Sequence, residues 1–151
     1  MKTEQFIKFA AGNGTIFSYR DKHYLFFDKV LTLLPSYSMV TSTSISPMPE
    51  WLSEVLNTDE ATECQLTDGF LPRADSKGSE IIRVFGNDDV YLTQKQYSFI
   101  EKKDRAFYCE GYKKDKDGNT QHFDALLLTD EYGDEAEFKT ILIGLNKEDY
   151  K

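Results

Sequence analysis

The sequence predicts a single α+β domain, residues 1–151, in which antiparallel sheets carry two amphipathic helices. Short β-prone runs recur along the chain and are separated by turn residues. Two amphipathic segments lead into such runs, one near the N-terminus and one after Val90. A shift of 90 residues brings these two segments into register, which makes 1–40 and 88–145 candidate pseudo-repeat halves joined by 41–87. The pattern is typical of a duplicated βαβββ unit.

The second amphipathic segment begins with a capping box. Thr93 offers an N-cap oxygen and Gln96 follows three residues later, so a helix is predicted from Thr93 to Asp104. Tyr97 and Ile100 share one face, whereas Phe99 lies nearer the opposite face than an ideal helical pattern allows. That opposite face is basic, with Lys95, Lys102, Lys103 and Arg105 on or beside it. Such a face is either a solvated surface or a contact for a phosphate backbone.

The N-terminal segment repeats this order. Residues 3–11 predict a helix, and the Gly-Asn-Gly run that follows ends it. Residues 15–19 predict a strand, 20–22 a tight turn, and 23–34 either two strands or one long bent strand closed by Pro35. Thr3 aligns with Thr93 and Phe17 with Phe107 under the shift of 90. The shared register is the basis for the candidate duplication.

The connection between the two halves contains one helix. Residues 36–46 suit a linker, but the β-branched residues of Met39–Ile45 favour an exposed edge strand. Pro49 suits the first turn of a short helix, Glu50–Leu56. Trp51 on this helix is either part of the core or an exposed anchor for a partner protein, and the second interpretation makes it the predicted partner-binding residue.

The remaining elements are mainly strands and turns. The predicted polar loops are Arg73–Ser79 and Lys113–Thr120, the second built around an Asp-Gly hairpin turn. The predicted strands are Glu80–Phe85, Ala106–Cys109, His122–Thr129 and Glu137–Leu145, and the last residues are expected to fray.

Composition limits the classes of partner. The net charge is −8, so the surface as a whole repels nucleic acid and any such site must be a local basic strip. Cys64 and Cys109 form no CxxC pair. A reduced, cytoplasmic setting is expected for them, with a disulfide as the open alternative. We expect no signal peptide and no membrane-spanning segment.

No established catalytic pattern emerges from the sequence. The glycines form no nucleotide-binding motif, and the two histidines, His23 and His122, belong to no Cys/His cluster. The run that begins at Asp115 lacks the glycine and glutamate positions of a calcium loop, which favours a hairpin turn. We therefore expect no cofactor and no metal, and a non-enzymatic protein. An enzyme of unrecognised type is the alternative.

The order strand 90–92, helix 93–104, strands from Ala106 through Leu128 and strand Phe138–Leu145 resembles one domain of a DNA sliding clamp. In that family each domain is a duplicated βαβββ unit whose helices line a hole for duplex DNA. The resemblance implies a replication accessory or processivity role. It also implies that DNA is contacted by Lys8, Lys95, Lys102, Lys103 and Arg105. Residues 93–116 carry seven Lys/Arg against four Asp/Glu, which fits a basic inner face.

The chain departs from the clamp pattern in two ways. No clear strand precedes the first helix, which offers only Lys8, with Lys2 just outside it. One domain cannot encircle DNA, so the chain is either a homo-oligomer or a shortened relative with another role. The alternative function is an acidic protein-binding module, such as a toxin-neutralising immunity protein or an inhibitor, because carboxylates attract basic partners.

Overall fold

The computed structural model describes residues 1–35, 45–65, 69–75, 78–87, 89–133 and 136–150, with the backbone alone along 72–75 and 78–80. In chain order the elements are α1 (Thr3–Ala10), β1 (Thr15–Tyr19), β2 (Lys22–Phe27), β3 (Val30–Leu33), β4 (Ile45–Pro47), α2 (Glu50–Leu56), β5 (Thr62–Cys64), β6 (Phe70–Asp75), β7 (Gly78–Phe85), β8 (Val90–Thr93), α3 (Gln94–Tyr97), β9 (Arg105–Lys114), β10 (Thr120–Thr129), β11 (Thr140–Ile143) and a 3₁₀ turn (Lys147–Tyr150). The predicted α+β class is confirmed.

The strands form two sheets. The larger sheet has eight strands in the order β4-β1-β2-β3-β11-β10-β9-β5, and the smaller has the order β6-β7-β8. Neighbouring strands are antiparallel except β1 and β4, which are parallel. The predicted antiparallel sheets are therefore confirmed.

The larger sheet is covered on both faces. One face packs against α1, α3 and the smaller sheet through side chains that include Phe6, Phe85 and Phe99. The other face packs against α2 through Leu52 and Val55. The centre of β10, whose residues 125–128 are at most 1% exposed, is enclosed from both sides. Among the described residues, no helix has the length and apolar character needed to cross a bilayer.

The six central strands consist of two meanders that meet in the middle of the sheet. β1-β2-β3 and β9-β10-β11 are each joined by consecutive antiparallel pairs, and β3 pairs with β11. At this junction the buried hydroxyls of Thr32 and Thr140 lie 2.9 Å apart in a hydrogen bond. A helix precedes each meander, α1 for the first and α3 for the second. This order is compatible with the predicted duplication, which itself stays a prediction.

The helix predicted from Thr93 to Asp104 is wrong in its length. The capping box is present, since the Thr93 hydroxyl accepts from the Gln96 backbone amide and the Gln96 side chain accepts from the Thr93 amide, each at 3.0 Å. However, α3 ends at Tyr97. The Phe99 ring turns into the core against Phe6, and the Phe99 carbonyl accepts from the Lys2 amide at 2.8 Å. This tertiary contact replaces a further helical turn, and it explains the off-pattern position of Phe99.

Other boundaries also differ from the sequence predictions. The predicted loop Arg73–Ser79 is wrong, because β6 and β7 pair there as a hairpin, with Pro72 in the edge strand β6 where a missing amide is tolerated. The last strand covers Thr140–Ile143, which is shorter than Glu137–Leu145. A 3₁₀ turn occupies most of the tail that was expected to fray. The predicted edge strand Met39–Ile45 lies outside the described residues except for Ile45, where β4 begins.

Both cysteines are free thiols, so the disulfide alternative is not realised. Cys109 is buried in the sheet face that packs on α2, and Cys64 is half-buried at the end of β5. Burial raises the pKa of each thiol, because an apolar environment disfavours the thiolate. Neither cysteine has the character of an activated nucleophile.

Candidate functional site

Helices α1 and α3 lie side by side on one face of the larger sheet. The ring centroids of Phe6 and Phe99 are 5.3 Å apart, and those of Phe9 and Phe99 are 5.7 Å apart. Because Phe99 follows α3, these rings pack α1 against the turn that ends α3. As a result, basic side chains that are about 90 residues apart in the sequence reach one surface of the fold.

Lys95 spans the two helices. Its Nζ lies 4.7 Å from the centroid of the Phe9 ring and 5.4 Å from that of Phe99. A cation above aromatic rings is attracted to their electron-rich faces, while its ammonium group stays in water. Lys8 is exposed on α1, next in sequence to Phe9. The structure therefore places Lys95 against α1, the helix that carries Lys8.

We call Lys2, Lys8, Lys95 and Lys102 the lysine surface. All four side chains are exposed: Lys2 directly precedes α1, Lys8 lies on α1, Lys95 on α3, and Lys102 between α3 and β9. Within the described part of the chain, none of them forms an ion pair. Glu4 is the exposed acidic residue of α1. The lysine surface is thus locally positive in a chain of net charge −8.

The other two predicted basic residues are engaged by neighbouring groups. Lys103 Nζ lies 3.7 Å from a Glu101 carboxylate oxygen and 3.9 Å from one of Asp130. Arg105 donates to Glu63 at 3.0 Å, and its guanidinium carbon lies 4.8 Å from the Tyr132 ring centroid. Local contacts therefore hold both side chains. Of the predicted residues, Lys8, Lys95 and Lys102 belong to the lysine surface, and Lys2 was not among the predicted contacts.

Trp51 is half-buried on α2. Its ring meets those of Phe26 and Phe123 edge to face, at centroid distances of 6.3 and 5.6 Å. Lys113 Nζ lies 4.6 Å from its centroid. The indole thus packs on the core and carries a cation on one side. Its role in binding a partner stays a prediction.

Sequence reasoning missed a group of polar residues on β9 and β10. Glu110, His122 and Asp124 place one potential metal-ligand atom each within 4.8 Å of one another. The observed register pairs Glu110 with Asp124 directly, because the five residues 115–119 separate β9 from β10. A two-residue Asp-Gly turn would instead pair Glu110 with Ala125, so the turn motif alone does not predict the cluster. The distance of 12 residues between Glu110 and His122 hid the cluster from a search for short spacings.

Comparison of the chain with protein-family models, curated proteins and solved structures finds no match. The charge and geometry of its surfaces are therefore the basis for assigning a function.

Proposed function

We propose that the chain is a non-catalytic, clamp-like module that associates with duplex DNA through the lysine surface. The observation that carries this proposal is the group of four exposed lysines without ion-pair partners in the described part of an acidic protein. The position of α1 and α3, side by side on one face of a sheet built from two meanders, supports it further. Exposed lysines on and beside α1 and α3 suit the phosphate backbone rather than base edges.

The expected interaction is weak and strongly dependent on salt. If all four lysines contact phosphates, the logarithm of the affinity falls against the logarithm of salt concentration with a slope of about −3 to −4. Between about 50 and 200 mM salt the affinity then decreases by about 100-fold. One copy of the domain contacts one side of the duplex, so tight retention requires several copies.

Fluorescence anisotropy with a labelled 30-base-pair duplex tests the proposal. Changing Lys8 and Lys95 to Gln should reduce the salt slope by about 2 and weaken binding for every sequence. The matched control changes Lys114 and Lys116, which are near the tip of the β9–β10 hairpin, to Gln and alters net charge by the same amount. Equal losses in both variants, or no binding of the unaltered chain at 50 mM salt, would contradict the proposal. Light scattering measures whether DNA-bound chains are oligomeric.

The alternative is an acidic protein-binding module. It is favoured by the charge distribution, because the chain has a net charge of −8 even with the four lysines included, so the remaining residues together carry −12. Such a surface increases the association rate with basic proteins and loses this advantage in salt. Affinity capture at low salt that retains no basic protein would count against this alternative, and Trp51→Ala measures the predicted contribution of the indole to a captured partner.

A further inference from the structure

The outer part of the β9–β10 hairpin carries a group of polar residues on one face. Glu110 pairs directly with Asp124, and Tyr112 with His122. Residues directly opposite on antiparallel strands share a face, and so do residues two apart on one strand. Tyr108 therefore joins the same face. β11 pairs with β10 only at 125–128, so this end of the hairpin extends beyond its neighbour in the described part of the sheet.

The inner oxygens of the two carboxylates point towards one ring nitrogen. His122 Nε2 lies 3.6 Å from Glu110 Oε1 and 3.7 Å from Asp124 Oδ1. An ion bound at about 2.0–2.2 Å by each ligand would separate neighbouring ligand atoms by about 3.0–3.5 Å. All three ligand atoms lie within 4.8 Å of one another, so rotation of these side chains would close the triangle around such an ion.

The outer oxygens have partners of their own. Tyr112 Oη donates to Glu110 Oε2 at 3.4 Å, and Lys147 Nζ lies 3.3 Å from Asp124 Oδ2. The Tyr112 and His122 rings also pack edge to face, with centroids 5.5 Å apart. Such outer contacts fix the orientation of metal ligands. They leave Oε1, Oδ1 and Nε2 to converge on one point.

One hydroxyl cannot satisfy both inner oxygens. Tyr108 Oη lies 3.0 Å from Asp124 Oδ1 and 3.1 Å from Glu110 Oε1, but it carries a single hydrogen. One carboxylate oxygen is therefore left facing the other without a donor from Tyr108. A shared cation would remove this repulsion.

We propose that Glu110, His122 and Asp124 bind one divalent transition-metal ion of the zinc class through Oε1, Nε2 and Oδ1. One imidazole and two carboxylates form a ligand set that zinc accepts, with water completing the coordination. The cluster borders an open groove of about 1040 Å³, also lined by Asn146 and Glu148, through which an ion can enter. The bound ion links the two strands of the hairpin at a level where, among the described residues, neither β5 nor β11 pairs with them.

Titration of the full chain with Co²⁺ and Zn²⁺ tests this site. We expect one Co²⁺ per chain, visible by its d–d absorption and displaced by Zn²⁺. His122→Ala should weaken binding by at least about 10-fold. Glu110→Gln, a nearly isosteric change at an exposed residue, should also weaken metal binding. This variant tests the site if His122→Ala folds poorly. Zn²⁺ should raise the melting temperature of the unaltered chain but not that of His122→Ala.

Two control variants test whether metal binding is specific to the proposed site. His23→Ala removes the other histidine of the chain, and Cys64→Ser removes the less buried thiol. Both should bind Co²⁺ as the unaltered chain does. Equal affinity in His122→Ala, a comparable loss in either control, or a dissociation constant above about 1 mM at pH 7.5 would each overturn the proposal.

Discussion

Replacing Gln96 with Ala should destabilise the protein by about 3 kcal/mol. The side chain is 2% exposed, and it connects α3 to the centre of the larger sheet. Its oxygen accepts from the Thr93 amide at 3.0 Å, and its Nε2 donates to the Ile143 carbonyl at 2.9 Å and, more weakly, to the Lys29 carbonyl at 3.4 Å. Two good hydrogen bonds contribute about 1 kcal/mol each, and the buried groups left unpaired add a further cost of about 1 kcal/mol or more.

Urea unfolding followed by the fluorescence of Trp51, the single tryptophan, measures this effect. Gln94→Ala is the matched control, because Gln94 lies on the same helix but is exposed, and we expect it to lose less than about 0.5 kcal/mol. Gln96→Glu should be more harmful at neutral pH than in acid, because only the protonated carboxyl group can donate to the Ile143 carbonyl. A loss below about 1 kcal/mol in Gln96→Ala would refute the assigned network.

Lys29→Gly should stabilise the protein by about 0.5–1 kcal/mol in the same assay, because Lys29 occupies the left-handed region (φ 63°) in a two-residue hairpin turn. Lys114→Gly, at the exposed end of strand β9, should instead destabilise it, and equal signs would contradict the reasoning. The pair of Lys139 and Asp130 predicts a pH effect, because the hydrogen bond between them lowers the pKa of Asp130 and raises that of Lys139. Its stabilisation is present above the unfolded-state pKa of the carboxyl group and is lost as pH falls through the lower folded-state pKa. It is also lost in alkali as pH rises through the raised lysine pKa. Lys139→Met should therefore cost about 0.2–1 kcal/mol at pH 7, because both partners are about one-third exposed, and nothing near pH 2. A constant difference across that range would exclude the pair as its cause.

The accuracy of the sequence predictions depended on how local the signals were. Thr93 and Gln96 are three residues apart and make a capping box that a short window detects. The Asp-Gly turn and the helix Glu50–Leu56 are equally local, and the structure contains both. The end of α3 at Tyr97 could not be found in this way, because it depends on a contact between Phe99 and Phe6 across 93 residues.

The candidate sites follow the same rule. Helical spacing identified Lys95 and the resemblance to a clamp added Lys8, and the fold places Lys95 against the helix that carries Lys8. The hydrogen bond between Arg105 and Glu63 could be predicted only with the knowledge that β5 pairs with β9. The polar cluster on β9 and β10 could be predicted only from the pairing register of the hairpin, and residue spacing along the sequence does not provide that register.

The junction between β3 and β11 sets an order of events during synthesis. The ribosome completes β3 at Leu33, but β11, the strand that pairs with β3 in the middle of the sheet, begins only at Thr140. At about 5–20 residues per second, a ribosome takes roughly 5–20 s to make the intervening chain. During that time the first meander exposes one open strand edge, and Phe6 lacks the ring of Phe99. The nascent chain is therefore most vulnerable to aggregation in this interval, and holding β3 apart from other strands is a task suited to a chaperone.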